Sequence, residues 1–92
     1  MKKYKINNKT YELIKNYKEC FDEEEVIDLC TEYFAEFDYI LGDYAYDKLR
    51  LKGFYESNNK KASKINDIKG VDNYIENYCV YGAKYFLLKK IS

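Results

Sequence analysis

A hairpin pattern between Phe37 and Tyr55 constrains the fold of this chain more than any other feature. The stretch reads FDYILGDYAYDKLRLKGFY. Two runs of strand length, 38–43 and 49–55, flank a short polar break at 44–48. Apolar runs of this length on either side of a turn predict a pair of strands. The rest of the chain is expected to cover this hairpin or to extend it.

The second run of the hairpin separates into two faces, because successive side chains of a strand point in opposite directions. One face carries Leu49, Leu51, Gly53 and Tyr55, and it is predicted to lie on the core. The other carries Arg50, Lys52 and Phe54. This cationic face with an aromatic in line is either exposed to solvent or covered by a helix, with its charges at the rim.

Gly42 and the residues near the N-terminus add two further constraints. Gly42 interrupts an apolar run, which indicates a β-bulge or a close approach of another group to the backbone. Asn7 and Asn8 separate two β-prone segments, near 3–6 and 10–16. Asparagine tolerates a positive φ, so this pair predicts a tight hairpin turn.

A capping box marks the start of a helix over residues 22–36. Asp22 and Glu25 have the spacing at which each side chain bonds the backbone N–H of the other. Phe21 and Val26 fit the hydrophobic staple that accompanies such a cap. Helical spacing then continues through Val26, Cys30, Tyr33, Phe34 and Phe37. The acidic run is therefore interpreted as a helix cap and not as a catalytic or metal site.

The C-terminal third predicts a second helix and a last strand. Residues 56–63 are polar and are interpreted as a mobile connector. An apolar stripe over 67–81 predicts a helix, with Gly70 weakening its first turn and Gly82 just beyond its end. Residues 83–91 are apolar on both faces for half their length, which indicates a strand buried in the middle of a sheet.

These elements predict one α+β domain spanning residues 1–92. The order is β-β-α-β-β-α-β, with an antiparallel-rich sheet and two helices packed on it. Ninety-two residues suffice for one domain and not for two, and 47% apolar content supplies its core.

Composition excludes most familiar chemistry. The chain has no His, so the usual general-base, triad and zinc schemes have no imidazole. Cys20, Cys30 and Cys79 are widely spaced and odd in number, which indicates free thiols in a reducing cytoplasm. Sixteen basic residues balance sixteen acidic ones, and the sequence predicts neither a signal peptide nor a membrane-spanning segment. We expect a cytoplasmic protein that is not an enzyme, with no cofactor, metal, membrane or small-molecule substrate.

The candidate binding residues lie in and beside the hairpin. Arg50 is the only arginine, and its planar guanidinium offers a bidentate contact that lysine does not. Asp43 is expected to pair with Arg50 across the hairpin. The predicted site comprises Asp43, Tyr44, Tyr46, Arg50, Lys52, Phe54, Lys60 and Lys61.

Two functions fit these residues. Tyrosine and arginine are the side chains that interfaces favour, so the first is binding to a partner protein that the sequence does not identify. The alternative is binding of RNA or single-stranded nucleic acid. It would use Arg50, Lys52 and Phe54 together with the lysines of 60–64.

The residues also resemble a known family. The motifs are DYILGD at 38–43, LRLKGF at 49–54 and NKKA at 59–62, with YELIKNY at 11–17 upstream. Tyr78-Cys79 and Gly82, followed by Tyr85-Phe86, continue the likeness downstream. This set resembles the YutD family of small proteins from Gram-positive bacteria and their wall-less relatives. Members typically carry Trp where this chain has Tyr44, and Gly-Tyr where it has Ala45-Tyr46. The resemblance implies a compact cytosolic α+β domain, and it implies no activity or site residues.

Overall fold

The computed structural model describes residues 2–78 and 82–91 of the chain. Its strands are β1 (Lys3–Ile6), β2 (Lys9–Tyr17), β3 (Tyr39–Ala45), β4 (Lys48–Phe54) and β5 (Tyr85–Lys90). Its helices are α1 (Glu23–Leu29) and α2 (Val71–Tyr78), and short 3₁₀ helices cover Glu32–Glu36 and Ile68–Gly70. The predicted order β-β-α-β-β-α-β is confirmed.

The five strands form one sheet in the order β1-β2-β5-β3-β4, and every neighbouring pair is antiparallel. The C-terminal strand therefore lies between β2 and β3, as its apolar character on both faces predicts. Phe86, Leu87 and Leu88 are buried in succession. Only a strand covered on both sides can bury three consecutive side chains, because they alternate between faces.

Two-residue turns close both hairpins. Asn7 and Asn8 adopt φ values of 51° and 64°, so the predicted asparagine turn between β1 and β2 is confirmed. Tyr46 and Asp47 adopt 53° and 64° between β3 and β4. This second connection is shorter than the predicted break at 44–48. Tyr44 and Ala45 instead extend β3, and Lys48 begins β4.

Each face of the sheet is covered by one helix and carries its own apolar cluster. On the α1 face the buried members are Ile6, Tyr11, Val26, Cys30, Ile40, Phe86 and Leu88. On the α2 face they are Tyr39, Leu41, Phe54 and Leu87, with Ile68, Val71, Tyr74 and Ile75 packed against them. The sheet is therefore the middle layer between two helices, and neither of its central faces is left to solvent.

Two glycines in the hairpin make room for phenylalanine rings. A Cβ on Gly42 would lie 2.1 Å from Cζ of Phe86, and one on Gly53 would lie 2.2 Å from Cγ of Phe37. Both distances are far inside van der Waals contact. The close approach predicted at Gly42 is thus confirmed, and the second was not expected.

The first helix is shorter than the predicted 22–36. Its start is confirmed, since the Asp22 carboxylate accepts from the N–H groups of Glu24 and Glu25. Its end is not, because α1 stops at Leu29 and Cys30 has an extended backbone. The Cys30 carbonyl accepts from the side-chain amide of Asn7, while the N–H of Phe34 turns to the carbonyl of Thr31. A contact from the β1–β2 turn thus satisfies a carbonyl at the end of α1 that has no partner within the helix.

The second helix begins later than predicted. Ile68–Gly70 form a 3₁₀ turn capped by the side chain of Asp67, and the α-helix proper starts at Val71. The irregular first turn expected at Gly70 is therefore present. Residues 79–81, including Cys79 and the predicted last turn, lie outside the described residues. Gly82 has a φ of 73°, which suits a glycine.

The connector at 56–63 is tied to the end of the sheet. Asp38, predicted as the first residue of a strand, lies just before β3. Its carboxylate accepts from the N–H of Glu56 at 2.8 Å and from the amide of Asn59 at 3.0 Å. Tyr55, just before the connector, donates its backbone N–H to the carbonyl of Asn66 and accepts from the N–H of Ile68, both just after the connector. The segment is therefore held to the sheet at both of its ends.

Candidate functional site

The predicted ion pair within the hairpin is present. Asp43 and Arg50 face each other across the β3–β4 ladder, with Oδ2 and Nη2 2.5 Å apart. Asp43 is buried, whereas the Arg50 side chain is 46% exposed. The same guanidinium also approaches the carbonyl of Tyr78 at the end of α2, at 3.4 Å. Arg50 therefore neutralises a buried charge and connects the hairpin to α2.

Tyr44 lies on the opposite face of the sheet from that pair. Its hydroxyl donates to Oε1 of Glu25 at 3.2 Å and approaches the carbonyl of Cys20. The Lys84 ammonium lies 4.7 Å from its ring centroid. Burial, together with the negative charge of Glu25, raises the pKa of Tyr44 to about 12. Tyr44 thus joins β3 to α1, and the carboxylate that a full capping box would aim at Asp22 instead accepts from this tyrosine.

Tyr46 is the most exposed large hydrophobic side chain among the described residues. It is 93% exposed and forms the first position of the two-residue turn, at a φ of 53°. Glycine and asparagine are the residues that ordinarily occupy such positions, because a side chain with a Cβ is crowded there. The turn therefore presents a large aromatic side chain to solvent.

Lys52 and Phe54 lie together on the α2 face, and Phe54 is covered. The Phe54 ring is buried and meets Tyr74 edge-to-face at 5.6 Å between centroids. The Lys52 ammonium lies 5.1 Å from the Phe54 ring and 5.7 Å from that of Tyr74. Of the two readings left open by the sequence, the structure shows a face covered by a helix with its charges at the rim. Phe54 therefore offers no exposed ring on which a base could stack.

Lys60 and Lys61 lie at the other end of the hairpin. Lys61 donates to Oε2 of Glu36 at 2.9 Å, and the hydroxyl of Tyr55 donates to the same oxygen at 2.7 Å. These two hydrogen bonds and the lysine charge hold the pKa of Glu36 below its usual value. Seven strand residues, roughly 20 Å, separate this end from the turn at Tyr46. The predicted residues thus do not form one surface. Asp43, Arg50, Lys52 and Phe54 lie on the α2 face, Tyr44 on the α1 face, Tyr46 in the turn, and Lys60 and Lys61 at the far end.

A groove beside α2 was missed by the sequence analysis. It has a volume of about 710 Å³ and is lined chiefly by Lys52, Lys64, Ile65, Lys69, Tyr74 and Tyr78, with Asp67, Gly70 and Asn73 completing it. The rings of Tyr74 and Tyr78 stack at 5.0 Å between centroids. Their spacing of four residues places them on one face of a helix. This spacing is the sequence pattern that could have predicted their pairing. Nothing local in the sequence indicated that Lys52 would lie beside them.

The described residues offer no evident catalytic centre. Burial raises the pKa of the thiols of Cys20 and Cys30, which leaves them poor nucleophiles. Within 2–78 and 82–91 no three His, Cys, Asp or Glu side chains cluster as metal ligands would. None of the described helices is long and apolar enough to cross a membrane.

Fold and surface together define a small α+β domain, with an antiparallel sheet between two helices, an exposed tyrosine at its hairpin tip and a groove beside α2. The family described as "Putative antitoxin YutD-like" matches residues 5–89. This chain therefore belongs to the YutD-like family, as its motifs suggested. It is 42% identical over 86 residues to "Putative antitoxin YutD" of Bacillus subtilis strain 168, covering 94% of each chain. The solution NMR structure of yutD from B. subtilis superimposes with a TM-score of 0.81 at 40% identity, covering 99% of this chain and 83% of that one.

Proposed function

We propose that this chain acts by binding a partner protein through the tip of the β3–β4 hairpin, with Tyr46 as its anchor. The observation that carries the proposal is the combination at Tyr46 of nearly complete exposure with a left-handed backbone. The left-handed conformation costs a residue with a side chain about 1 kcal/mol. Folding gains little from this ring, so a contact outside the domain is what would offset the cost.

The hairpin is built to present that ring rigidly. The Asp43–Arg50 pair ties the two strands together near the turn, and Tyr44 fixes β3 to α1 from the other face. A tyrosine on a rigid support loses little conformational entropy when it binds, because it has only two side-chain torsions. The exposed part of Arg50 adds a second group of the kind that interfaces favour.

The class of partner follows from the names of the relatives. An antitoxin neutralises a toxin, so the partner we propose is a toxin protein whose harmful surface this chain occupies. The role requires binding and no chemistry, in keeping with the lack of an evident catalytic centre among the described residues. We place the protein in the cytoplasm, where the free thiols of Cys20 and Cys30 would stay reduced.

Site-specific crosslinking in bacterial cells tests the contact. A photoreactive amino acid at position 46 should capture one partner protein, whereas the same residue at position 33 should not. Tyr33 is a matched control because it is also exposed, at 64%, but lies on the 3₁₀ helix Glu32–Glu36. Capture of the same protein from both positions would contradict a hairpin-tip interface.

The captured partner then allows an affinity measurement and a growth assay. Tyr46→Asn should weaken binding at least tenfold, whereas Tyr46→Phe should retain most of it. The partner alone should slow growth, and this chain should relieve the effect while Tyr46→Asn does not. A partner that binds through Tyr46 without slowing growth would overturn the antitoxin role and leave the interface standing.

The nucleic-acid alternative keeps fewer of its residues. Phe54 is buried, and Lys61 is engaged by Glu36. For Lys52 and Lys60, nucleic-acid binding stays a prediction. The interface proposed at the hairpin tip does not depend on it.

A further inference from the structure

Within the part of the chain that the structure describes, the groove beside α2 contains a cation with no carboxylate paired to it. Lys52 is half-buried against the rings of Phe54 and Tyr74, and burial lowers the pKa of its ammonium group. Among the described residues, the ion pairs join Arg50 to Asp43 and Lys61 to Glu36, and neither involves Lys52. A partly desolvated ammonium with no carboxylate beside it has unused capacity to bind an anion.

The charge of the groove favours an anionic ligand. Lys52, Lys64 and Lys69 line it, and Asp67 is the one carboxylate among its described lining residues. Asp67 is already engaged, since it accepts from Oγ of Ser57 at 2.6 Å and from the N–H of Lys69 at 2.9 Å. These hydrogen bonds keep its pKa below the usual value. The lysines are thus the groups left to meet an incoming ligand.

The same groove offers aromatic surface for a planar group. Tyr74 is fixed edge-to-face on Phe54, and Tyr78 stacks on Tyr74 with its planes tilted by 26°. Tyr78 is 68% exposed, so its ring is accessible from solvent. Exposed aromatic rings of this kind are the ones on which proteins stack nucleic-acid bases. A volume of about 710 Å³ lies within the usual range for small-ligand sites.

We propose that this groove binds a nucleotide unit, with its phosphate against Lys52 and the neighbouring lysines and its base against Tyr78. The ligand is either a free nucleotide or one nucleotide of a single-stranded RNA, since both present a phosphate joined to a planar ring. The site is separate from the hairpin tip and does not rest on the partner-protein function. Neither Phe54 nor the lysines at 60 and 61 take part in it.

Titrations followed by NMR or calorimetry at low salt test the groove with four probes. ATP and a short single-stranded RNA should both bind saturably, and the shifted amide signals should be those of residues lining the groove. Inorganic tripolyphosphate has the phosphates without the base and should bind at least tenfold more weakly than ATP. An acidic peptide of matched charge should also bind more weakly.

Substitutions in the groove test which residue contacts the phosphate and which contacts the base. Lys52→Met should weaken ATP binding about tenfold, whereas Lys5→Met, the same change on the distant strand β1, should leave it unchanged. Tyr78→Ser should weaken ATP about tenfold and tripolyphosphate hardly at all. Tyr78 is exposed, so this variant should fold, and Tyr46→Asn should bind ATP as the natural chain does.

The salt dependence separates the two sources. An RNA strand lying in the groove should bind more tightly than ATP, with a salt slope steeper by about 0.7 for each further phosphate contacted. Equal affinity and slope would identify the free nucleotide. The proposal is overturned if neither probe binds at low salt, if tripolyphosphate or the acidic peptide binds as tightly as ATP, or if Lys5→Met weakens binding as much as Lys52→Met.

Discussion

The carboxylate of Asp43 and the guanidinium of Arg50 lie 2.5 Å apart across the β3–β4 ladder, and this pair joins a buried anion to a half-exposed cation. The only arginine of the chain therefore has a structural role within the hairpin. A loss of binding in an Arg50 variant would not by itself identify an interface, because the same change leaves a buried charge without its partner. Tyr46 is the cleaner probe of the surface.

We predict that Arg50→Met lowers the free energy of unfolding by about 2 kcal/mol. The uncompensated carboxylate accounts for the loss, and exposure of Arg50 keeps it below that of a fully buried pair. Adding Asp43→Asn should restore part of the stability, because it removes the orphaned charge. Chemical denaturation of the two single variants and the double variant measures the coupling. Lys48→Met, also exposed on β4, should change stability by less than about 0.5 kcal/mol, and an equal loss there would contradict a specific pair.

The contact between Gly42 and Phe86 leads to a second prediction. Gly42→Ala should destabilise the fold by about 3 kcal/mol, because the new methyl group would overlap a ring that is fully buried at the centre of the sheet. Thermal or denaturant unfolding measures it, and Phe86→Leu in the same chain should recover part of the loss. Gly70→Ala is the matched control. Its nearest neighbour would be 3.9 Å away, so stability should stay equal or rise slightly.

The elements that could be predicted from the sequence are those specified by local chemistry. The Asn7-Asn8 turn, the Asp22 cap and the central last strand each follow from residues adjacent along the chain. The Asp43–Arg50 pair was also predictable, because register in a hairpin follows from alternation once the turn is placed.

The features that could not be predicted depend on contacts between distant segments. The first helix ends at Leu29, and the carbonyl of the next residue, Cys30, accepts from Asn7, 23 residues earlier in the chain. Phe54 is buried because α2 crosses its face of the sheet. The predicted site does not form one surface for the same reason, since periodicity gives the face of a strand but not what packs on it.

The ion pair between Lys61 and Glu36, at the far end of the hairpin, leads to a prediction about the pKa of Glu36. Lys61→Met should raise the pKa of Glu36 toward its ordinary value of 4.5, because it removes the largest cause of the lowering. Because the pKa of Glu36 is lower in the folded state, this group contributes stability at pH values above 4.5. That stability is lost as the pH falls through the folded-state pKa. The variant should therefore lose less of its stability on acidification.

An NMR titration of the Glu36 side-chain carboxyl carbon follows that change directly. Lys60→Met removes the same charge from the neighbouring position and should leave Glu36 as it is. If the pKa of Glu36 shifts equally in both variants, the cause is the general positive charge of the loop and not a specific hydrogen bond.

Four tyrosines predict a loss of stability in alkali. Burial is the largest cause that raises the pKa from 10.0 to about 12 in each of Tyr11, Tyr39, Tyr44 and Tyr55. Each phenol thus holds its proton more tightly in the folded chain than in the unfolded one. The stability that each phenol contributes is complete below pH 10 and is lost as the pH rises toward 12.

Unfolding measured across that range, together with tyrosinate absorbance, tests the alkaline prediction. Tyr11→Phe should make the decline shallower, because the Tyr11 ring is almost fully buried and phenylalanine has no proton to lose. Each variant is compared with its own stability at neutral pH, which removes any difference caused by packing. An unchanged slope would show that Tyr11 does not contribute to the decline.

Tyr46 predicts a substitution that improves folding. Tyr46→Asn should raise the free energy of unfolding by about 1 kcal/mol, because asparagine adopts the left-handed conformation of the turn more readily than tyrosine. Tyr46→Phe retains the crowded Cβ and the ring, so its stability should match that of the natural chain. Denaturant unfolding of the three proteins gives the comparison. If Tyr46→Asn is no more stable, the tyrosine carries no folding cost, and its exposure alone would remain as the argument for an interface at the hairpin tip.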